Sequence, residues 1–221
     1  MQGRLYVIDG LDGSGKTTQT REVVERLRSL GEKVLLISFP DYGDESSALV
    51  RMYLNGGFGE DVNTVNAYAA SSFYAVDRYA AYMRHWKQQY EDGTTVIATR
   101  YVSSNAIHQM SKLPEQEWDA FLEWLSDYEY NKLTLPRPDR IIFLDMPREV
   151  ADRQLTGRYH GDESKKDIHE KDRVYLQKCQ KTAAYAAKAE GWDVISCAEN
   201  GEALPVSVIT DRIMEILLPF S

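Results

Sequence analysis

Gly10-Leu11-Asp12-Gly13-Ser14-Gly15-Lys16-Thr17 matches the pattern G-x-x-x-x-G-K-[ST] in full, and its flanks decide the fold. Before it, Leu5-Tyr6-Val7-Ile8 is a short apolar run of the kind a buried strand needs. After it, from Thr17 to Leu30, the residues Val23, Val24, Leu27 and Leu30 share one helical face. A glycine-rich turn between strand and helix aims successive backbone N–H groups at one point. The helix N-terminus adds partial positive charge there, so the point holds a di- or triphosphate. Residues Gly10 to Thr18 are expected to cradle that phosphate chain. Lys16 should reach its outer phosphates, and the Thr17 hydroxyl should bind Mg²⁺.

Outward from the loop, Val34–Phe39, Thr95–Ala98, Arg140–Leu144 and Asp193–Ser196 read as further strands, separated by helical stretches. That alternation predicts an α/β chain with a parallel sheet of about five strands and helices on both faces. With no repeat and no long Pro/Gly linker, residues 1–221 are expected to form a single domain. The net charge of −8, from 26 basic and 34 acidic residues, argues against a nucleic-acid polymer as partner, which needs a basic surface. Cys179 and Cys197 have no metal-ligand spacing and read as idle thiols in a reducing compartment. No run approaches the ~20 apolar residues of a membrane span. The first strand starts at Leu5, too early for a signal sequence, so a cytoplasmic protein without a membrane partner is expected.

Two stretches admit both a plain and a functional reading. From Val62 to Gln89 the spacing predicts one long helix, with a packing stripe of Val65, Ala69, Ser72, Val76, Tyr79, Met83 and Trp86. Ser71, Tyr74, Arg78 and His85 fall on the other side, either as a surface face with a snorkelling Arg or as a wall of a ligand site. Residues 153–171 carry Arg153, Arg158 and three lysines among acids and glycines. They read as an exposed loop, either unspecialised or a lid bringing cations over phosphates.

Six motifs in order and at similar spacing make the chain resemble the thymidylate kinases, and the likeness covers nearly its whole length. They are Ile8–Gln19 with the phosphate loop, Phe39-Pro40 after the second strand, and Tyr74-Ala75-Val76-Asp77-Arg78 for F-A-A-D-R. Then come Thr99-Arg100-Tyr101-Val102-Ser103-Ser104-Asn105 for D-R-Y-V-x-S-[SN], and Pro136–Asp139 with Phe143–Pro147. The last is Asp167-Ile168-His169-Glu170 for the lid's D-R-x-E.

The resemblance implies a P-loop kinase fold, a homodimer packed through long helices, and Mg²⁺-dependent transfer of the ATP γ-phosphate to dTMP. It also implies roles. Asp12 would accept from the acceptor's 3′-hydroxyl, and Tyr74 would lie flat on the base. Arg78 would donate to a base carbonyl, and Asn105 would meet the N3 edge. Phe39, Pro40 and Ser104 belong to the same substrate-binding motifs, and His108 would stand beside the sugar where the family often has Tyr or Phe. Arg100 would hold the acceptor phosphate, and Asp167 and Glu170 would meet the sugar or the metal's water shell. With Ser14 in the loop, the catalytic arginine must come from the lid: Arg158 as the mobile cation and Arg153 at the lid's start, with Lys165 and Lys166 as the next candidates for that cation.

Thr99 is the main departure, since the family usually places there an Asp that orients metal-bound water. A hydroxyl can bind such a water without its charge. Two other readings therefore stay open: a deoxynucleoside or other monophosphate kinase, with Asp41, Asp44 or Glu45 as base, and a nucleotide sensor without turnover.

Overall fold

The structure, a computed structural model, describes residues 2–59, 61–159 and 173–218. Its centre is a sheet of five parallel strands: β1 (Leu5–Gly10), β2 (Val34–Ser38), β3 (Thr95–Thr99), β4 (Arg140–Asp145) and β5 (Asp193–Ser196). Their spatial order is β2-β3-β1-β4-β5. Each predicted strand is present, with ends within two residues of those expected. β1 and β3 are buried along their whole length, which is why they read as continuous apolar runs and not as alternating ones.

The pleat sends alternate residues to two separate cores. On one face Leu5, Val7, Val96, Ala98 and Phe143 pack with Tyr101, Ile107, Phe121 and Trp192. On the other, Tyr6, Ile8, Ile97, Ile142 and Leu144 meet Val23, Val24 and Leu27 of α1 (Lys16–Ser29). Ile209, Ile213 and Leu217 of α9 (Val206–Leu217) complete that second core. The carboxyl ends of β1, β2 and β3 lie side by side, the place where open α/β sheets bind ligands.

The remaining helices are α2 (Ala48–Leu54), α3 (Ala67–Ala81), α4 (Lys87–Glu91), α5 (Ser103–His108), α6 (Trp118–Ser126), α7 (Arg148–Tyr159) and α8 (Arg173–Glu190). The stretch read as one helix over 62–89 starts later. Asn66 caps α3 by accepting from the Ala69 N–H at 2.9 Å, and such a cap contributes about 1 kcal/mol. A π-helical turn at Tyr82–Trp86 then joins α3 to α4.

The facing of α3 also differs from expectation. Ala67, Ala70, Ser71, Ala75, Arg78 and Ala81 are turned inward. Of the stripe expected to pack, Val76, Tyr79 and Met83 are 45%, 39% and 47% exposed, although Trp86 is buried. Small side chains let α3 approach the body closely, and Arg78 goes inward because it has a charged partner there. A ranking by side-chain hydrophobicity undervalues both effects.

Residues 153–159, expected in a loop, are the end of α7, and the rest of that segment lies outside the described residues. A short antiparallel hairpin of β6 (Ala198–Glu199) and β7 (Glu202–Ala203) has no counterpart in the sequence reading.

Candidate active site

A cavity of about 770 Å³ opens at the carboxyl ends of β1, β2 and β3. Asp12, Gly13, Gly15, Lys16, Thr17 and Thr18 line one side, Phe39, Pro40, Tyr74 and Arg78 another, and Thr99, Arg100, Ser104, Asn105 and His108 a third. Elements far apart in sequence thus bring together nearly all the site residues expected within the described part. Gly10, Leu11 and Ser14 shape the loop from behind the wall.

The loop's glycines are needed for specific reasons. Gly13 has φ +82, and a Cβ there would meet the Ala151 carbonyl oxygen at 2.7 Å, so any side chain would push the loop off α7. Gly15 has φ +85 and caps α1 from a left-handed conformation. With these turns in place, Lys16 folds back and donates from Nζ to the Leu11 carbonyl at 2.7 Å, 3.5 Å from Asp12 Oδ1.

Asp12, Lys16 and Arg100 form one charge cluster. The Arg100 guanidinium donates to Asp12 Oδ1. Burial opposes ionisation of Asp12, but the Arg100 and Lys16 charges outweigh it and hold the carboxyl well below its ordinary range. Burial, together with repulsion from Arg100, brings the Lys16 ammonium down to about 8. Burial also works against the Arg100 charge, and Asp12 and Asp9 more than offset it. Arg100 follows β3 with φ +65, a left-handed backbone uncommon for a side chain of this size, anchored by its N–H to the Ile8 carbonyl at 3.2 Å.

His108 lines the cavity, as the resemblance implies, and it also braces Arg100. Its Nε2 lies 3.0 Å from Arg100 NH1. A guanidinium can only donate, so Nε2 is the acceptor in this contact, while Nδ1 lies 3.7 Å from Cys179 Sγ. Burial pushes both Cys179 and Cys197 thiols up to about 12, so neither is a reactive thiolate.

Asp9 organises the site from beneath. Its Oδ2 accepts from Ser103 Oγ and Ser104 Oγ, both at 2.7 Å, tying β1 to α5. On the opposite wall Arg78 is clamped by Glu129, which stands on a π-helical turn at Asp127–Lys132. Thr99 donates from Oγ1 to Thr20 Oγ1 at 3.1 Å, so its hydroxyl proton serves packing between β3 and α1.

Arg153 lies outside the cavity lining. It donates to the Gly201 carbonyl and sits 3.7 Å from Glu202, on the β6–β7 hairpin. Arg158 belongs to the last turn of α7 by its backbone, and its side chain, like Asp167 and Glu170, lies outside the described residues. Asp41, Asp44 and Glu45 do not line the cavity. Asp44 instead accepts from the Ser46 N–H and pairs with Arg84 and His85.

The structure also adds residues to the wall. Arg21 stands on α1 one turn past Thr17, a spacing visible in the sequence. Tyr42, Gln109 and Gln154 had no such signal, and Gln109 is buried with an Oε1 that lacks a partner among the described residues.

For a metal the donor chemistry is the relevant test. No group of three or more His, Cys, Asp or Glu side chains forms a metal site among the described residues. Thr17 presents a hard oxygen at the head of α1, and that suits Mg²⁺, which retains waters and draws its other ligands from phosphate.

Strand, phosphate loop, helix and a facing arginine define a P-loop phosphotransferase with room for a second, smaller ligand beside the phosphates. The comparisons agree and go further. The family model "Thymidylate kinase" matches residues 8–207. A thymidylate kinase of Mycobacterium tuberculosis is 33% identical over 193 residues, covering 85% of this chain and 87% of that protein. One from Schizosaccharomyces pombe is 33% identical over 182 residues, covering 81% and 78%. A solved thymidylate kinase from Candida albicans superposes with a TM-score of 0.74 over 99% of this chain and 92% of that one; at 20% identity it speaks for the fold. The chain belongs to the thymidylate kinase family, ATP-dependent nucleoside monophosphate kinases that convert dTMP to dTDP.

Proposed function

We propose that this cavity holds ATP on the phosphate-loop side and dTMP against α3 and α5, and passes the γ-phosphate to the dTMP phosphate. One observation carries the reading: Arg100 touches the phosphate loop through Asp12 and touches α5 through His108. A cation held at that junction serves both phosphates. Phosphoryl transfer needs in-line placement and neutralisation of spreading charge more than covalent chemistry.

Lys16 draws the outer phosphates of ATP, and Arg100 exchanges part of its contact with Asp12 for the acceptor phosphate. Asp12 is then available to the 3′-hydroxyl. Tyr74 and Arg78, four residues apart on α3, share one face and supply a stacking surface and a donor for the base. A bound Mg²⁺, held by Thr17 and phosphate oxygens, would withdraw charge from the phosphates, and Thr99 would reach it only through water. Residues 153–171 act as the lid of this single domain: Arg153 anchors its start, Arg158 supplies the mobile cation, and Asp167 and Glu170 meet the sugar.

The test is ADP formation with dTMP, thymidine or no acceptor. Turnover should require dTMP. A preference for thymidine would move the reading to a nucleoside kinase, and ATP binding without acceptor-dependent turnover would make the chain a sensor.

The exposed stripe of Val76, Tyr79 and Met83 is assigned to a homodimer contact, since apolar residues gathered on one surface line favour burial against a second copy. Met83→Glu should shift the sedimentation coefficient from dimer to monomer, and a wild-type monomer would remove the assignment. Among the described residues no helix is long and apolar enough to cross a membrane. Two buried free thiols fit the reducing cytoplasm.

A further inference from the structure

Glu129 has no place in the reading so far, yet its carboxylate is fully buried and its hydrogen bonds reach both residues assigned to the base edge. Oε2 accepts from Arg78 Nε at 2.7 Å, and Oε1 accepts from Arg78 NH2 at 2.6 Å. Oε1 also accepts from Asn105 Nδ2 at 3.1 Å. The second Nδ2 hydrogen of Asn105 goes to the Ser71 carbonyl at 3.2 Å. A carboxylate and a carbonyl oxygen can only accept, so the Asn105 amide has one permitted orientation. Its nitrogen is turned into the protein. Its Oδ1, which has no partner among the described residues, is left for the cavity that Asn105 lines.

Arg78 is constrained in the same way. Nε and one NH2 hydrogen are held by Glu129, and NH1 donates to the Tyr101 carbonyl at 3.3 Å. One hydrogen on each terminal nitrogen remains for a ligand. The wall therefore offers an acceptor from Asn105 beside donors from Arg78. A pyrimidine with N3–H beside a 4-carbonyl complements that pair, whereas cytosine presents an N3 acceptor beside an N4 amine and mismatches at both atoms.

We propose that Glu129 is a positioning residue that sets the polarity of base recognition, admitting thymine and uracil and rejecting cytosine. The proposal rests on the assignment of Arg78 and Asn105 to the base. Without an acceptor-only group at Glu129, only the longer contact to the Ser71 carbonyl still holds the Asn105 nitrogen inward, so the amide turns over more readily and can offer its N–H to the cytosine N3. The mere counter-ion reading, in which Glu129 only neutralises a buried arginine, makes a different prediction: both bases would suffer alike.

The experiment measures kcat/KM for dTMP, dUMP and dCMP in the wild type and in Glu129→Gln, Glu129→Asp and Asn105→Ala, with thermal unfolding as a check on folding. Wild type should favour dTMP over dCMP by a large factor. Glu129→Gln should cut that ratio by about tenfold or more, the scale of one misplaced polar contact, and leave dTMP against dUMP within about twofold. Glu129→Asp keeps a charge opposite Arg78 but withdraws the carboxylate from Asn105, so the dTMP-to-dCMP ratio should fall there too. That variant decides the matter if Glu129→Gln does not fold. A parallel fall for dTMP and dCMP, with their ratio intact, overturns the proposal. If Asn105→Ala changes the ratio and neither Glu129 variant does, the base assignment stands and the role of Glu129 falls. If Asn105→Ala leaves the ratio unchanged, the base assignment itself is wrong.

Discussion

Lys16→Met should lower kcat by at least about 10²–10³-fold, the scale set by removal of one preorganised donor to transition-state charge, while the protein stays folded. Methionine fills similar space on a nearly buried stem, so the variant removes the ammonium and little else. In the structure that ammonium is held by the Leu11 carbonyl and lies near Asp12, which keeps it at the phosphate loop before ATP arrives. Burial and Arg100 bring Lys16 down to about 8, which adds a pH signature. Below that pH the side chain is charged and ready for phosphate. Above it the ligand-free enzyme loses the proton, whereas bound phosphate restores a higher pKa, so binding takes up a proton. The Kd for ATP should therefore be level below pH 8 and rise by up to about tenfold per unit above it. Titrations of ATP between pH 7 and 9.5 check this. A flat wild-type profile would show Lys16 to be charged throughout, and full turnover by Lys16→Met would remove it from the mechanism.

The same lysine shows which parts of the site are legible in sequence. Backbone geometry around it is prescribed locally: a strand, a run of glycines at fixed offsets and a helix start can be read without knowledge of the rest. The centre of the sheet is equally legible, because β1 and β3, buried along their whole length, carry apolar runs. Arg78, Asn105 and Arg100 were reachable through motifs. Their partners were not. Glu129 stands in Tyr128-Glu129-Tyr130 on a π-helical turn, where a lone acid between aromatics reads as solvent-exposed. Its burial is decided by Arg78, 51 positions earlier. The facing of α3 departs from its sequence pattern for the same reason: a long-range ion pair and close packing of alanines outweigh the local apolar stripe. His108 presented a further limit, because the ring's contact with Arg100 depends on backbone that carries φ +65 at Arg100, which no residue pattern announces.

Arg100→Met should reduce kcat/KM for dTMP by about 10²–10³-fold, comparable to losing one charge-stabilising donor, and change the KM for ATP much less. The asymmetry follows from position. Among the described residues Arg100 hydrogen-bonds the phosphate loop through the Asp12 side chain, whereas its contact with His108 puts it on the acceptor wall. Its loss also strips Asp12 of the largest of the charges that stabilise its carboxylate, with burial still opposing ionisation. The Asp12 carboxyl should then rise toward or above the ordinary carboxylate range. Because the depressed value keeps Asp12 ionised across the working range in the wild type, the variant should gain an acid limb in its pH–rate profile that the wild type lacks. Arg100→Lys separates charge from shape. A lysine restores the positive charge but cannot donate to Asp12 and His108 from one planar fork. It should restore much of the Asp12 ionisation, and with it the flat acid limb, but little of the kcat/KM. If Arg100→Lys recovers both, the site needs only a positive charge there. If Arg100→Met affects ATP and dTMP equally, the arginine belongs to the donor phosphates, and the acceptor phosphate must be held by another cation.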